Sequence, residues 1–357
     1  MKKFLLTFFI LLAVMLTTTA NAVALNSLYT AEIPVTSRNI DQQKAALSLA
    51  LKNIFIKVSG NIDIVKIDEI NDAIKNPNQY IRDFSYIQAP SDATTPLTLQ
   101  VNFAPQSINN LLKQTGQPIW KKNRPLTLVW LATQDASGTQ LNNSDDNPTV
   151  KALTDDAKQR GLPLIFPILD LTDLQQIQPS DVWAPFINVI QNASLRYSPN
   201  EILIIRMDQS APNNIISHWS LLLKDDQLSW EIKGNNLETI VQNGINNLTN
   251  ILAKRFAVTE NNQPENTINF TVTDLTNIND YAKTVRYLNN LAGVTNVEVQ
   301  NVNASQANFN LTLNTNTDTL QRTIQLNSVL LPTQSDTPLG DQSAILTYKY
   351  NHTGSET

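Results

Sequence analysis

The chain of 357 residues contains no cysteine. Without thiols it cannot form disulfides, thiolate metal sites, iron–sulfur clusters or a cysteine nucleophile. A lipid anchor on an N-terminal cysteine is excluded for the same reason. A chain without disulfides must be stabilised by ordinary apolar cores, and this one is long enough to build them in two or three domains.

Glycine is also scarce, with nine residues in the chain, and the closest two are Gly234 and Gly244. The dinucleotide-binding pattern G-x-G-x-x-G and the phosphate loop G-x-x-x-x-G-K both need glycines closer together than this. Neither pattern can therefore be written anywhere in the sequence. The two common nucleotide-binding loops are excluded.

The chain has two histidines, His218 and His352. A serine hydrolase would need His218 as its base, beside a serine and a carboxylate. His218 lies in a predicted strand, residues 215–221, where neighbouring side chains face opposite sides, and no G-x-S-x-G motif is present. We therefore expect a surface or hydrogen-bonded sheet histidine and no imidazole metal site.

Carboxylates could still provide acid–base chemistry, which needs two of them with separated pKa values. The visible pairs are Asp145-Asp146, Asp155-Asp156 and Asp225-Asp226. They lie in a predicted loop, helix and turn, where aspartate serves turns and solubility. Residues 142–147 lack the glycine and distal glutamate of a calcium loop. The sequence predicts no catalytic, metal or cofactor-binding residue and no cofactor, and it favours a role without catalysis.

The first 22 residues have the three parts of a secretory signal: Lys2 and Lys3, an apolar core, and small residues that end at Ala22. The apolar core has about 13 residues, fewer than the roughly 20 that span a bilayer. We expect cleavage near Ala22 and export to the periplasm. No stable membrane insertion is expected after cleavage.

The expected mature chain is acidic. Removal of Lys2 and Lys3 leaves 24 basic residues against 31 acidic ones, a net charge of −7. Such a surface does not attract nucleic acid without a concentrated basic patch. The densest basic run, residues 121–124, lies in a predicted linker and is interpreted as a solvated connection.

Two polar, proline-containing stretches, residues 117–125 and 259–267, are typical of domain boundaries. The predicted organisation is α+β, with three small sandwich-type domains. It comprises a signal peptide at 1–22, an N-terminal α+β domain at 23–117, a central α/β domain at 118–258, a C-terminal ferredoxin-like domain at 259–350 and a disordered tail at 351–357.

In the first segment the order of predicted elements is β-α-β-β-α. Asn39 is predicted to cap a long helix, with Gln42 three places on, and apolar residues continue with helical spacing to Val58. Ser59 and Gly60 follow, and they could be either a functional site or the end of the helix. We interpret Gly60 as the left-handed residue that closes the helix, and Ser59 as structural. Short helices are predicted at 67–75, 78–83 and 107–114, with strands at 28–35, 84–88 and 96–103.

In the central segment strands are predicted at 126–132, 162–168, 201–207, 215–223 and 228–232, with helices at 150–159 and 184–195 and a last helix capped by Asn235. The last segment, from 268 to 350, follows the order βαββαβ of a ferredoxin-like fold. All five tryptophans lie in or beside the central segment and are interpreted as core residues: Trp120, Trp130, Trp183, Trp219 and Trp230.

Three stretches of the first segment, residues 28–35, the 45–60 helix end and 80–86, resemble the exported proteins grouped as domain of unknown function 2066. That family has no established reaction, so the resemblance implies a Gram-negative envelope protein and no activity. In element order, the middle segment is similar to the α/β domains of envelope accessory proteins, such as the lipoprotein activators of peptidoglycan synthases.

These observations lead to one functional hypothesis and one alternative. The first is a soluble periplasmic protein that acts as a non-catalytic binding or accessory module for an envelope component, with an envelope protein as partner and no nucleic acid. The alternative is a carboxylate-dependent hydrolase, or a small-ligand-binding protein that uses a cleft between the first two domains. A deep pocket with paired carboxylates and tryptophans would favour the alternative, and an exposed apolar surface would favour docking.

Overall fold

A computed structural model of the protein describes residues 28–88, 97–211, 214–224, 226–259, 266–326, 329–333 and 345–352. The predicted α+β class is confirmed, and the strands form three separate sheets. The predicted signal peptide, most of the second linker and residues 353–357 of the predicted tail lie outside the described residues. Within these residues, no helix has both the length and the apolar character that crossing a membrane requires.

The first sheet is antiparallel, with the strand order β1-β3-β2. Its strands are β1 (Thr30–Val35), β2 (Ile81–Gln88) and β3 (Leu97–Phe103). The accompanying helices are α1 (Ile40–Ser59), α2 (Asp68–Lys75) and α3 (Pro105–Gln114). Alternate residues of β1 are buried, as expected for a strand with one covered face. These residues and the apolar side of α1 share one core.

Helix α1 begins and ends as predicted. The Asn39 side chain accepts a hydrogen bond from the Gln42 backbone N–H, and Gly60 adopts a left-handed φ of +73°. The Gly60 N–H donates to the Ile56 carbonyl oxygen at 2.9 Å. The Gln42 side chain accepts from the Ser37 N–H rather than completing a reciprocal capping box.

The predicted helix at residues 78–83 is wrong. A 3-10 turn, Pro77–Tyr80, is followed at once by strand β2, which begins at Ile81 opposite Phe103. This strand conformation is determined by pairing with a strand that is distant in sequence. The spacing of apolar residues within the segment does not reveal that pairing.

The central sheet has six strands, in the order β5-β4-β7-β8-β9 with β6 beside β4. Strand β4 runs parallel to β7 and β6, and the other pairs are antiparallel. The strands are β4 (Thr127–Asp135), β5 (Gly138–Asn142), β6 (Leu164–Ile165), β7 (Glu201–Ala211), β8 (Asn214–Leu222) and β9 (Gln227–Gly234).

Helices cover both faces of this sheet, so the central region has three layers. Helices α4 (Pro148–Arg160) and α8 (Leu237–Phe256) pack on one core with Val129 and Leu131. Trp130 points to the opposite core. That second core lies beneath α5 (Leu171–Gln176), α6 (Pro179–Trp183) and α7 (Ile187–Ser194). Strand β4 is buried on both sides, which explains its continuous apolar sequence.

Three central predictions need correction. Residues 138–142, where the sequence predicts no strand, form β5, because they pair with β4 at the sheet edge. The helix predicted at 184–195 is shorter, and α5 and α6 precede it. Helix α8 is capped by Asn236 and not by Asn235, since the Asn236 side chain accepts from the Thr239 N–H.

The third sheet has the strand order β11-β12-β10-β14-β13, with β10 parallel to β14. Its elements are β10 (Asn266–Thr273), α9 (Ile278–Asn290), β11 (Val294–Val302), β12 (Gln306–Leu313), α10 (Thr317–Gln325), β13 (Leu330–Pro332) and β14 (Leu346–Tyr350). The ferredoxin-like βαββαβ order is therefore present, with β13 as an additional edge strand.

The residues that end α1 also form the junction with the central region. A side-chain carbon added at Gly60 would lie 2.4 Å from the Ala253 side chain on α8 and 3.0 Å from the Trp120 ring. Glycine is therefore required at position 60 for two reasons. It adopts the left-handed backbone conformation, and it allows the end of α1 to pack closely against α8.

We expect Gly60→Ala to lower the free energy of unfolding by about 1 kcal/mol for the left-handed backbone and by about 1 kcal/mol more for the collision with Ala253. In an Ala253→Gly background the collision is absent, so the same substitution should cost about 1 kcal/mol less. Urea unfolding of the four proteins measures this coupling. An equal cost in both backgrounds would contradict the packing role.

Candidate functional site

Ser59 is occupied in closing helix α1. Its side chain is fully buried. The hydroxyl donates to the Phe55 carbonyl oxygen at 2.7 Å and accepts from the Asn61 N–H at 3.1 Å. These bonds give the residue a structural role, as its sequence context predicts.

The two histidines lie in different regions. His218 is half-exposed on strand β8, and its Nδ1 lies 3.3 Å from the Glu231 carboxylate on the neighbouring strand. His352, predicted to lie in a disordered tail, has its Nε2 2.9 Å from the Asp274 carbonyl oxygen. The preceding residue Asn351 donates its N–H to the Val329 carbonyl at 3.0 Å. The start of the predicted tail is thus attached to the third sheet.

The structure does not assemble the acidic pairs into a catalytic centre. Asp155 bonds Lys151 at 3.1 Å on the surface of α4. Asp145 and Asp146 lie in the exposed turn before that helix. Asp226 accepts a hydrogen bond from the Gln227 N–H, and Asp225 is outside the described residues.

The weak calcium-loop candidate is a helix start. Within it, the Asn147 side chain caps α4 by accepting from the Thr149 and Val150 N–H groups. The Asn143 side chain donates to the Pro167 and Ile168 carbonyls. Throughout the described part of the chain, no group of three histidine or acidic side chains is arranged to hold a metal ion.

Three of the five tryptophans are completely buried: Trp120, Trp130 and Trp219. Trp219 stacks on Trp230 at 5.9 Å between ring centroids. Gly244 on α8 faces this stack, and an added side-chain carbon would lie 2.1 Å from the Trp219 ring. Close packing of α8 on the sheet therefore explains these aromatic residues better than exposed ligand stacking.

Sequence reasoning missed the central polar contact of the molecule, Arg124. The prediction that the basic run at 121–124 is solvated is wrong for this residue, which is 6% exposed. Its Nη1 donates to the Arg160 carbonyl at 2.8 Å and the Gly161 carbonyl at 3.2 Å. Its Nη2 donates to the Lys57 and Trp120 carbonyls at 2.6 and 3.0 Å. One side chain thus connects the C-terminal ends of α1 and α4 with the linker.

The surroundings of Arg124 suit a buried guanidinium. Its plane lies 4.3 Å from the centre of the Trp120 ring, in the geometry of a cation–π contact. Burial and the neighbouring Arg160 lower the pKa of Arg124 to about 9, so it stays charged at neutral pH. Three of the four acceptors, the carbonyls of Lys57, Arg160 and Gly161, lie at helix C-termini, where the helix dipole places partial negative charge. The one sequence signal for this contact is the position of Arg124, four residues after Trp120.

A cavity of about 480 Å³ lies beside this junction, between the first sheet and α4. Its walls include Glu32 of β1, Lys57 of α1 and Lys158 of α4. None of the tryptophans lines it. The two carboxylates on its walls, Glu32 and Asp155, each bond a lysine. This arrangement does not resemble the paired carboxylates of a hydrolase.

The second notable surface is on the opposite side of the central sheet, over α5, α6 and α7. Five large apolar side chains are exposed there, and we name them the apolar surface: Ile168, Leu171, Leu174, Phe186 and Leu195. Leu171 and Leu174 lie on α5, and Ile168 precedes this helix. Phe186 and Leu195 flank α7, which packs against α5. Helix α7 separates Phe186 from Leu195 by about 12 Å.

A polar network centred on the buried Asp173 holds this surface in place. Arg196 Nη1 bonds Asp170 at 2.7 Å and the buried Asp173 at 2.8 Å. The Tyr197 hydroxyl donates to Asp173 and accepts from the Ile168 N–H. Burial and the bond to Asp173 raise the pKa of Tyr197 to about 12. The residues next to Leu171 and Leu195 are therefore bonded together.

Leu169 has a positive φ of 54° within this network. A bulky residue resists this conformation. The Leu169 N–H donates to Asp173 Oδ2 at 2.9 Å, which secures the turn that leads into α5. The exposed apolar residues are consequently carried on a rigid base.

The family comparison corrects the earlier resemblance. Residues 22–121 match the model of a domain of unknown function, DUF8605. The predicted membership of domain of unknown function 2066 is therefore wrong; it was based on three short motifs. The match covers the first sheet and its linker as far as Lys121.

Comparison with other proteins adds little. No curated protein matches the chain. The solved structure of the C-terminal domain of LpoB from Salmonella enterica is similar, with 14% identity over 31% of this chain and 83% of its own. The TM-score is 0.24. At that score the expected likeness of the middle segment to envelope accessory domains stays a prediction.

Replacing Arg124 by lysine should lower the free energy of unfolding by about 3 kcal/mol, because a single ammonium cannot serve four carbonyls or stack on Trp120. The exposed Lys122→Gln, two positions away, serves as the control and should change stability by less than about 0.5 kcal/mol. Thermal unfolding followed by circular dichroism measures both. Wild-type stability of Arg124→Lys would contradict the connecting role.

Asp156 should make stability depend on pH. Burial and the nearby Asp155 and Glu238 raise its pKa to about 6. The charged carboxylate is therefore disfavoured in the folded state. It costs no folding stability below the unfolded-state pKa, where Asp156 is protonated, and its full cost is present above pH 6. We expect Asp156→Asn to gain about 1 kcal/mol at pH 8 and nothing at pH 4, after allowance for solvent screening. Urea unfolding at both pH values tests this difference, with the exposed Asp145→Asn as control. Equal effects of Asp156→Asn at both pH values would contradict it.

Proposed function

We propose that this protein is a periplasmic, non-catalytic binding module that docks onto another protein of the bacterial envelope through its apolar surface. The observation that carries the proposal is a set of five large exposed apolar side chains in α5 and in the residues that flank α5 and α7: Ile168, Leu171, Leu174, Phe186 and Leu195. Large exposed apolar patches on otherwise polar proteins mark interaction sites.

Composition supports the same conclusion. From residue 161 to residue 200 the sequence contains no lysine, although lysine is common elsewhere in the chain. Lysine is depleted from the centres of protein interfaces, since it is costly to desolvate. A solvent-exposed set of helices with no partner would be expected to carry it.

The rigid base also favours docking. Ion pairs from Arg196 to Asp170 and Asp173 join the turn before α5 to the end of α7. A surface that is already ordered loses less conformational entropy on association, so more of the burial free energy becomes affinity.

The charges near the surface indicate the partner's chemistry. Between residues 161 and 200 the charged residues are Asp170, Asp173, Asp181 and a single arginine, Arg196. Asp173 is buried, so Asp170 and Asp181 are the carboxylates that a partner would meet beside Arg196. We therefore propose a partner surface that is apolar at its centre and weakly basic at its rim. Such complementarity speeds association and makes it sensitive to salt. The periplasmic location follows from the signal-like first 22 residues.

Site-specific photocrosslinking in the native cells tests the proposal. A photoreactive residue at Leu195, 73% exposed, should give one discrete protein adduct. The matched control is Ile278, which is 74% exposed on the third domain and should give none. Adding Leu171→Asp should reduce the Leu195 adduct about tenfold or more, as expected for a hot-spot residue.

Two results would contradict docking through this surface. One is the absence of any adduct from Leu195 in protein that is folded by circular dichroism. The other is an adduct that forms equally from Ile278, or that persists unchanged when Leu171 is aspartate.

A further inference from the structure

The cavity between the first sheet and α4 has the features of a small-ligand site, separate from the apolar surface. It is enclosed by β1, α1 and α4, and its volume of about 480 Å³ is within the range of ligand pockets. The salt bridge between Glu32 and Lys158, 3.0 Å long, joins the two sides of the cavity. We name this cavity the cleft.

The cleft is positively charged in a protein that is acidic as a whole. Three lysines line it, Lys57, Lys122 and Lys158, against the carboxylates Glu32 and Asp155. Both carboxylates already bond a lysine. Among the described residues, Lys57 and Lys122 form no ion pair. Unpaired cations in a concave site with low-dielectric walls attract anions.

Lys57 is the most constrained of these cations. Its Nζ donates to the Thr30 carbonyl at 3.0 Å, which leaves two of its three donors for other partners. Burial and the repulsion of Arg124 lower the pKa of Lys57 to about 8. An anion beside Lys57 would relieve both the desolvation and the repulsion.

Part of the remaining wall is apolar, beside the polar Thr30, Asn53 and Thr154. Leu28 and Pro34 contribute from the first domain, and Ala157, Leu162 and Leu164 from the region around α4. A purely hydrophilic anion would leave these side chains facing water. An anion with an apolar chain would contact both parts of the wall.

We propose that the cleft binds a small amphipathic anion, whose carboxylate or phosphate is held by Lys57 and Lys158 and whose apolar chain lies against Leu28, Leu162 and Leu164. The geometry places the head group between the first and second domains. Bound ligand therefore contacts both domains at the junction that Arg124 organises.

Titration calorimetry of the full mature chain with three probes tests the proposal. Octanoate carries the charge and the chain, inorganic phosphate the charge alone and octanol the chain alone. Octanoate should bind at least about tenfold more tightly than either of the others, because the charge-assisted hydrogen bond and the apolar contact both contribute. Octyl phosphate in a fourth arm distinguishes a phosphate head group from a carboxylate.

Two lysines of helix α1 provide a matched pair of variants. Lys57→Met removes the charge in the cleft and keeps an apolar stem, and we expect about a tenfold loss of octanoate affinity. Lys52→Met removes an exposed charge one and a half turns earlier and should leave affinity unchanged. Both proteins are checked for folding by circular dichroism.

Glu32→Gln gives an independent test that does not involve Lys57. The substitution frees Lys158 from its carboxylate partner, so octanoate affinity should rise several-fold, whereas a merely structural role would leave it unchanged or lower it. The proposal is overturned if octanol binds as tightly as octanoate, if Glu32→Gln does not strengthen binding, or if octanoate shows no binding at about 10 mM.

Discussion

The guanidinium of Arg124 is the contact on which the arrangement of the first two domains depends. It bonds the final carbonyls of α1 and α4 and the carbonyl of Trp120. Carbonyls at helix C-termini lack partners within the helix and carry partial negative charge. The single buried cation of Arg124 provides hydrogen bonds to the carbonyls at both helix ends. Gly60 and Gly161 have left-handed backbones, which allow the two helices to end beside it. The two domains are therefore joined through backbone atoms, which side-chain composition alone does not reveal.

This junction places two different surfaces on opposite sides of the central sheet. Alternation along β4 sends Val129 and Leu131 toward the core beside the junction and Trp130 toward the core beneath the apolar surface. The cleft lies on the first side, where lysines meet an apolar wall. The apolar surface lies on the second, where the Arg196 network holds short helices. The two proposed interactions, with a protein partner and with a small anion, therefore use separate positions of different chemistry.

Predictions from the sequence were correct where the deciding interactions are local along the chain, and wrong where they join distant residues. The cap at Asn39, the helix end at Gly60 and the βαββαβ order of the last domain depend on local spacing, and the structure confirms them. The helix predicted at 78–83 and the missed strand β5 failed because distant strands decide those segments. The family assignment also failed, since it was based on three short stretches and the family match extends over residues 22–121.

The sequence by itself determined the class of fold, the absence of thiol chemistry and of the common nucleotide loops, and the signal-like first residues. These follow from composition and from periodicity within single elements. Tertiary structure alone decided that Arg124 is buried, that Lys57 and Lys158 share a cleft, and that five apolar side chains remain exposed together. Each of those facts depends on which surfaces meet when the domains pack, and residues distant along the chain carry no local mark of that contact.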